Sequence, residues 1–242
     1  MVLFYIIMMN LVKYLSFCGA ASRREAERLI RGGHVTVAGA VELNPARRID
    51  GSEPVALDGQ TLTPPGRRHY VLLHKPRGYV CSNSDRHAKL LAVELIDIPG
   101  AKLVSAGRLD KDSEGAIIFS DDGGFINFLA HPRYEVLKRY HVSTAKALTE
   151  TDLRRIRGGI QDEGEFLQVK AVHELTPAKY EFILNEGKKR EIRRLVAACG
   201  NTVTRLVRME IGGVSLGSLP CGKYRELTPQ EVQLLYGENG DE

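Results

Sequence analysis

Gly107-Arg108-Leu109-Asp110-Lys111-Asp112-Ser113-Glu114-Gly115-Ala116-Ile117-Ile118-Phe119 is the most informative stretch of this chain. It is a polar loop with a glycine at each end, and it runs directly into an apolar strand. Loops carried on a rigid strand are where reacting groups tend to sit. A carboxylate such as Asp110 can attack an electrophilic carbon and form a covalent intermediate. On spacing alone, a turn held by Asp side chains is the commoner use of such a loop. Pairing Asp110 with Asp112 or Glu114 would suit glycoside hydrolysis, but the chain has no Trp to build a sugar groove.

Outward from that stretch, Tyr70-Val71-Leu72-Leu73-His74-Lys75 reads as a strand stopped by Pro76. Further strands are expected at 116–119, 139–144, 179–185, 202–209 and 214–216, and helices at 123–130, 149–157, 189–198 and 229–235. Strands outnumber helices and are dispersed, which predicts an α+β domain with a mixed or antiparallel sheet. Before it, Thr63-Pro64-Pro65-Gly66-Arg67-Arg68 reads as a linker. Residues 11–32 read as two short helices, with Ser22 capping the second and Glu25 at the capping-box position. A strand at 34–39 follows, then alternation over 49–62 around turns at Asp50-Gly51 and Asp58-Gly59. Helix–helix–small sheet in so short a span is a compact module.

The 242 residues are 43% apolar and 26% charged, as in a globular protein with a real core rather than a disordered or fibrous one. Net charge is +4, and five acids from Glu226 to Glu242 meet no Lys or Arg, so residues 1–225 carry +9. A body that basic suits a polyanionic partner. Cys18, Cys81, Cys199 and Cys221 lie too far apart for a metal motif or a disulfide framework, which points to a reduced, cytoplasmic protein. The opening MVLFYIIMM is too short to span a bilayer and lacks signal-peptide features. Translation is expected to start at Met8 or Met9, the alternative being a genuine short apolar strand or arm that begins at Met1.

Three basic clusters stand out. Gly187-Lys188-Lys189-Arg190-Glu191-Ile192-Arg193-Arg194-Leu195 opens an apparent helix, a start that suits phosphate contacts or an Arg placed across the fold against an aspartate. It serves equally as a solvated face. In Leu137-Lys138-Arg139-Tyr140-His141-Val142, alternation puts Tyr140 opposite Arg139 and His141. Such a tyrosine can stack on a base or simply pack its ring. Arg24, Arg28 and Arg31 form one helical stripe, with Lys13 on the preceding helix and Arg23 beside it. A stripe of that kind tracks an RNA backbone or, paired as Glu27–Arg31, faces solvent.

Taken in order, these pieces resemble one family. Residues 11–58, including the run SRREAERLIRGGHVTVAG, resemble an S4 RNA-binding domain. The remainder is similar to the catalytic domain of the RsuA/RluB/RluE/RluF group of ribosomal RNA pseudouridine synthases. The motifs are Leu73-His74-Lys75-Pro76-Arg77-Gly78-Tyr79-Val80, the loop 107–115, Lys138-Arg139-Tyr140, the run 186–195, and Gly222-Lys223-Tyr224-Arg225-Glu226-Leu227-Thr228. Lys188-Lys189-Arg190 departs from the family's usual tripeptide and keeps its charge.

The resemblance implies an S4 domain over 10–63, a linker over 64–68, and a catalytic domain with a mixed, mostly antiparallel sheet over 69–237. It implies isomerisation of uridine to pseudouridine in ribosomal RNA, free or in an assembling subunit, with 23S slightly favoured over 16S. No metal or redox cofactor and no membrane are expected, and a monomer is the default. By the same resemblance Asp110 is the catalytic carboxylate, Arg193 its ionic partner, and Tyr140 the ring that stacks on the target base. Arg108 would act as a wedge or a phosphate contact beside the flipped nucleotide. Lys13, Arg23, Arg24, Arg28, Arg31, Lys188, Lys189, Arg190 and Arg194 would contact RNA. The rival reading is a non-catalytic S4-type RNA-binding or ribosome assembly protein. It has no need of Asp110, Tyr140 and Arg193 together.

Overall fold

The structure is a computed structural model, and it describes residues 9–50, 52–64, 66–82 and 90–236. The apolar start through Met8, Gly51 of one expected turn, Pro65 of the linker and the acidic end beyond Tyr236 lie outside the described residues. The chain divides into two compact units between Arg68 and His69.

The first unit runs β1 (Met9–Asn10), α1 (Leu11–Phe17), α2 (Arg23–Arg31), β2 (Val35–Val37), β3 (Ala40–Val41), β4 (Arg48–Ile49), β5 (Val55–Leu57) and β6 (Gln60–Thr61). Both helices are too short to stand alone, and each is capped. The Asn10 side chain accepts the Lys13 N–H at 2.9 Å, and the Ser22 hydroxyl accepts the Glu25 N–H at 3.3 Å, as the capping-box spacing anticipates. Their apolar stripes meet in one core: Leu11, Tyr14 and Leu15 of α1 with Ala26 and Ile30 of α2, over Val35, Val37, Ile49 and Val55. The sheet order is β3-β2-β5-β6. Asp58 and Gly59, at φ 46° and 82°, make the left-handed pair that lets two residues close the β5–β6 hairpin.

The second unit is built on a nine-stranded sheet. Its strands are β7 (Tyr70–Lys75), β8 (Val104–Ser105), β9 (Glu114–Ser120), β10 (Lys138–Thr144), β13 (Ala171–Thr176), β14 (Lys179–Leu184), β15 (Val203–Ile211), β16 (Val214–Ser215) and β17 (Tyr224–Glu226). The hairpin β11 (Ile160–Asp162)–β12 (Glu165–Leu167) stands apart. The order is β13-β14-β10-β15-β9-β7-β17, with β16 on β15 and β8 on β9. Pairing is antiparallel except between β9 and β15, which run parallel through Glu114↔Val207 and Gly115↔Arg208. Helices α4 (Glu150–Gly158) and α5 (Glu191–Ala198) bury Leu153, Ile156, Ile192, Leu195 and Val196 on one face. Helices α3 (Gly123–Ala130) and α6 (Pro229–Tyr236) bury Phe125, Leu129 and Leu235 on the other. The unit is α+β with a mixed, mostly antiparallel sheet, as the sequence predicts. Among the described residues no helix is long and apolar enough to cross a membrane.

Candidate active site

The loop ahead of β9 is fastened from below. Lys75, at the end of β7, is fully buried, and its Nζ donates to the carbonyls of Pro76 at 3.0 Å and Tyr79 at 2.9 Å. That fixes the turn after Pro76. Burial pushes the Lys75 amine below its usual range, with the charge of Arg208 acting in the same direction. Gly78 in this turn donates its N–H to the Lys111 carbonyl at 2.7 Å. Leu109 is buried and donates its N–H to Cys81 Sγ at 3.4 Å. Ser113 N–H closes the turn on the Asp110 carbonyl at 3.1 Å.

Asp110 is half-buried at the mouth of this loop. It opens on a cavity of ≈ 420 Å³ lined by Arg77, Gly78, Asp110, Lys111, Asp112 and Arg190. That volume falls within the range of about 300–1,000 Å³ usual for small-ligand sites. Among the described residues the Asp110 carboxylate makes no hydrogen bond and no ion pair.

The ionic partner of Arg193 is Asp112, which corrects the expected pairing with Asp110. Arg193 Nε lies 3.4 Å from Asp112 Oδ2, and its terminal nitrogens donate to the carbonyls of Asp112 at 3.1 Å and Val203 at 3.2 Å. Asp110 acts on Arg193 only as a further charge. Arg190 adds a two-pronged contact, with Nη1 donating to Asp112 Oδ1 at 3.1 Å and Nη2 to Oδ2 at 3.3 Å. Burial alone would raise the Asp112 carboxyl, but the hydrogen bonds from Arg190 and the charge of Arg193 outweigh it and hold it below the usual range. Arg193 lies on α5 and Arg190 immediately precedes it, where Glu191, buried in the first turn, accepts the Lys188 N–H at 3.0 Å. Asp112 therefore clamps α5 to the loop that carries Asp110.

Asp112→Asn keeps the shape and removes the charge, leaving Arg193 part-buried without an acid. We expect a loss of about 1–3 kcal/mol of stability, since the cluster is only partly exposed. The looser loop should lower turnover by about 10- to 100-fold. A carboxyl held low stabilises the fold above its unfolded pKa, and that contribution disappears as pH falls through the lower folded value. Urea unfolding of the two proteins should thus differ by a constant amount at neutral pH and converge below about pH 4.

Tyr140 is buried on β10, paired with Phe182 of β14 and Arg208 of β15. Its ring belongs to the same core cluster as Leu109 and Cys81, which support the Asp110 loop. Among the described residues its hydroxyl has no hydrogen-bond partner. Alternation holds as expected: Arg139 turns away to Glu210 at 3.1 Å and Glu181 at 3.3 Å, while His141 is exposed. Lys138 is half-buried, and burial, aided by the charge of Arg208, pushes its amine down to about 8.

The other basic residues separate into bound and unbound. Arg194 holds Asp162 and Glu165 on the β11–β12 hairpin, and Lys188 donates to the Phe166 carbonyl and Glu186. Both fasten α5 locally and do not line the cavity. Lys189 and Arg108 are exposed, without side-chain partners among the described residues, and Arg108 lies off the cavity lining. In the first unit Arg28 pairs with Glu25 and Arg31 with Glu27, whereas Lys13, Arg23 and Arg24 are exposed and without side-chain partners among the described residues. Sequence reasoning gave no site role to Arg77 or Lys111. Their signal was position: each sits inside a motif already singled out. Among the described residues no three His, Cys, Asp or Glu side chains group to hold a metal ion.

This geometry, a loop-borne carboxylate over an open cavity, lies within a region that matches a known family. Residues 69–198 match the RNA pseudouridylate synthase family, and residues 9–55 match the S4 domain. The chain belongs to the RNA pseudouridine synthases, isomerases that convert uridine in RNA to pseudouridine. It is 33% identical over 227 residues to ribosomal small subunit pseudouridine synthase A of Escherichia coli, covering 93% of this chain and 98% of that one. To ribosomal large subunit pseudouridine synthase B of Bacillus subtilis it is 34% identical over 237 residues, covering 94% and 96%. A solved pseudouridylate synthase superposes with a TM-score of 0.68 at 30% identity, covering 94% of this chain and 99% of that one.

Proposed function

We propose that this enzyme isomerises one uridine of ribosomal RNA in the cytoplasm, with Asp110 as the catalytic carboxylate. The observation that carries the reading is the Asp110 carboxylate itself. It borders a nucleoside-sized cavity and, among the described residues, has no ionic partner of its own. The reaction breaks the N1–C1′ bond, turns the uracil, and joins C5 to C1′. N1 gains a proton and C5 loses one, so the product is an isomer. A carboxylate at that place bonds to the electrophilic carbon or stabilises the positive charge that grows at C1′. The target nucleotide must leave its stack, at a cost of a few kcal/mol that is lowest in loops and partly folded RNA.

Tyr140 serves as the stacking ring for the flipped uracil, and base–aromatic stacking contributes about 1–3 kcal/mol. Its hydroxyl has no partner among the described residues, which supports a second part for it in moving the proton. Tyr140→Phe should keep RNA affinity and slow turnover by about 10-fold or more, as for loss of a proton-transfer group. A wild-type rate would assign the ring alone.

Relatives named for the small and for the large subunit are equally similar to this chain. The sequences at 107–115 and 193–195 lean towards large-subunit enzymes and Tyr79-Val80-Cys81-Ser82 towards the small-subunit type, which leaves 23S rRNA slightly favoured as the first substrate to try. Purified protein incubated with unmodified 23S and 16S transcripts should place pseudouridine at one position of one of them. Modification of neither, whether as free transcript or within assembling subunits, would refute the ribosomal assignment.

A further inference from the structure

We infer that Arg77 is a phosphate-binding residue of the active site, taking a phosphodiester of the RNA backbone that flanks the uridine at Asp110. The inference rests on the reading of Asp110 given above and adds the part of the substrate that a second side of the cavity grips.

Five charged side chains line the cavity: Arg77, Lys111 and Arg190 against Asp110 and Asp112. Asp112 and Arg190 satisfy each other through the two-pronged contact. Arg77 and Lys111 are exposed, and among the described residues neither side chain has a hydrogen bond or an ion pair. The charge of Arg77 reaches Arg193 and Glu114 only at a distance. Two cations thus face a cavity whose one uncommitted acid is Asp110. A nucleotide entering this cavity brings a neutral base, a neutral sugar and phosphates at both ends. Only the phosphates complement the surplus cations, and a guanidinium presents its N–H fork to two phosphate oxygens at once.

The backbone that carries Arg77 is held in place. It lies between two carbonyls, Pro76 and Tyr79, that the buried Lys75 ammonium grips from below. The next residue, Gly78, bonds to Lys111 of the Asp110 loop, and its φ of +94° is one that L side chains rarely adopt. The arginine and the carboxylate therefore ride on one hydrogen-bonded platform. The backbone beneath both groups is thus already ordered when a phosphate arrives, and only the Arg77 side chain remains to be fixed. Such a contact positions the RNA and carries no base selectivity.

The test is steady-state turnover by the full chain on the rRNA transcript it modifies, across a series of salt concentrations. Arg77→Ala should raise KM by about 10-fold, leave kcat within about 2-fold, and make the salt dependence of KM shallower by about one counterion. Arg77→Gln, which keeps the stem, should do the same, and Arg77→Lys should recover most of the salt dependence. Arg154→Ala, which removes an exposed charge on α4, should change neither quantity. Wild-type KM and salt slope in Arg77→Ala would overturn the assignment, as would a loss confined to kcat. An inactive Asp110→Asn beside an unaltered Arg77→Ala would remove the phosphate assignment alone. An Asp110→Asn enzyme with wild-type turnover would remove the site and the assignment with it.

Discussion

Asp110→Asn is expected to abolish pseudouridine formation while leaving the fold intact. The amide keeps the size of the carboxylate and removes its charge and its nucleophilicity. Loss of a group of this kind lowers turnover by about 10⁴-fold or more in enzymes where one residue carries the chemistry. Folding should not suffer, because among the described residues the carboxylate has no ion pair or hydrogen bond to lose. Stability is expected to stay within about 0.5 kcal/mol of wild type, as for substitutions away from packing and charge networks. The contrast with Asp112→Asn is the useful part. Two aspartates two residues apart should separate cleanly, one affecting turnover alone and the other stability and turnover together.

Gly115→Ala is expected to have the largest effect on stability. Gly115 lies where β9 begins to run beside β15, and it has φ +112°. A Cβ built there would lie 2.2 Å from the Arg208 carbonyl oxygen and 2.5 Å from the Arg208 nitrogen. Those atoms belong to the backbone of a central strand, so no side chain can swing aside to make room. Backbone strain and overpacking add, giving a loss of about 3 kcal/mol or more from a total of about 5–15 kcal/mol. Gly159 offers the control. Its φ of +88° brings backbone strain of the same kind, and a Cβ there would meet the Phe166 ring at 2.2 Å, but Phe166 is 50% exposed and its ring can turn away. Urea unfolding should show a much larger drop in midpoint for Gly115→Ala than for Gly159→Ala. Equal midpoints would contradict the close approach of the two strands.

Much of the fold is legible because local signals agree with burial. Ser22 and Glu25 mark the start of α2, and the apolar run after Gly115 marks β9, the strand on which the site stands. What the sequence hid is equally specific. The strand β13 is an edge strand in which only Val172 is buried, so it carries no alternating apolar pattern. Short pairings such as β8, β11 and β17 have two or three residues each, too few for any period to declare itself.

The site divides in the same way. The loop glycines and Asp110 stand out because a polar loop leading into a buried strand is a strong pattern. The Arg193 contact was misassigned because residues 110 and 112 are equally acidic neighbours, and only the packing of α5 selects between them. Lys188 and Arg194 read as RNA contacts because a charge run does not reveal which of its members meets Glu186, Asp162 or Glu165 in the fold.

The most direct measurement is a pseudouridine map of whole rRNA, by carbodiimide labelling and primer extension. It compares cells that carry wild-type protein with cells whose sole copy is Asp110→Asn. The account predicts that one stop, at one uridine, is lost with the variant while every other stop remains. A map that is the same in both would contradict the claim that the Asp110 carboxylate of this protein makes a pseudouridine in ribosomal RNA.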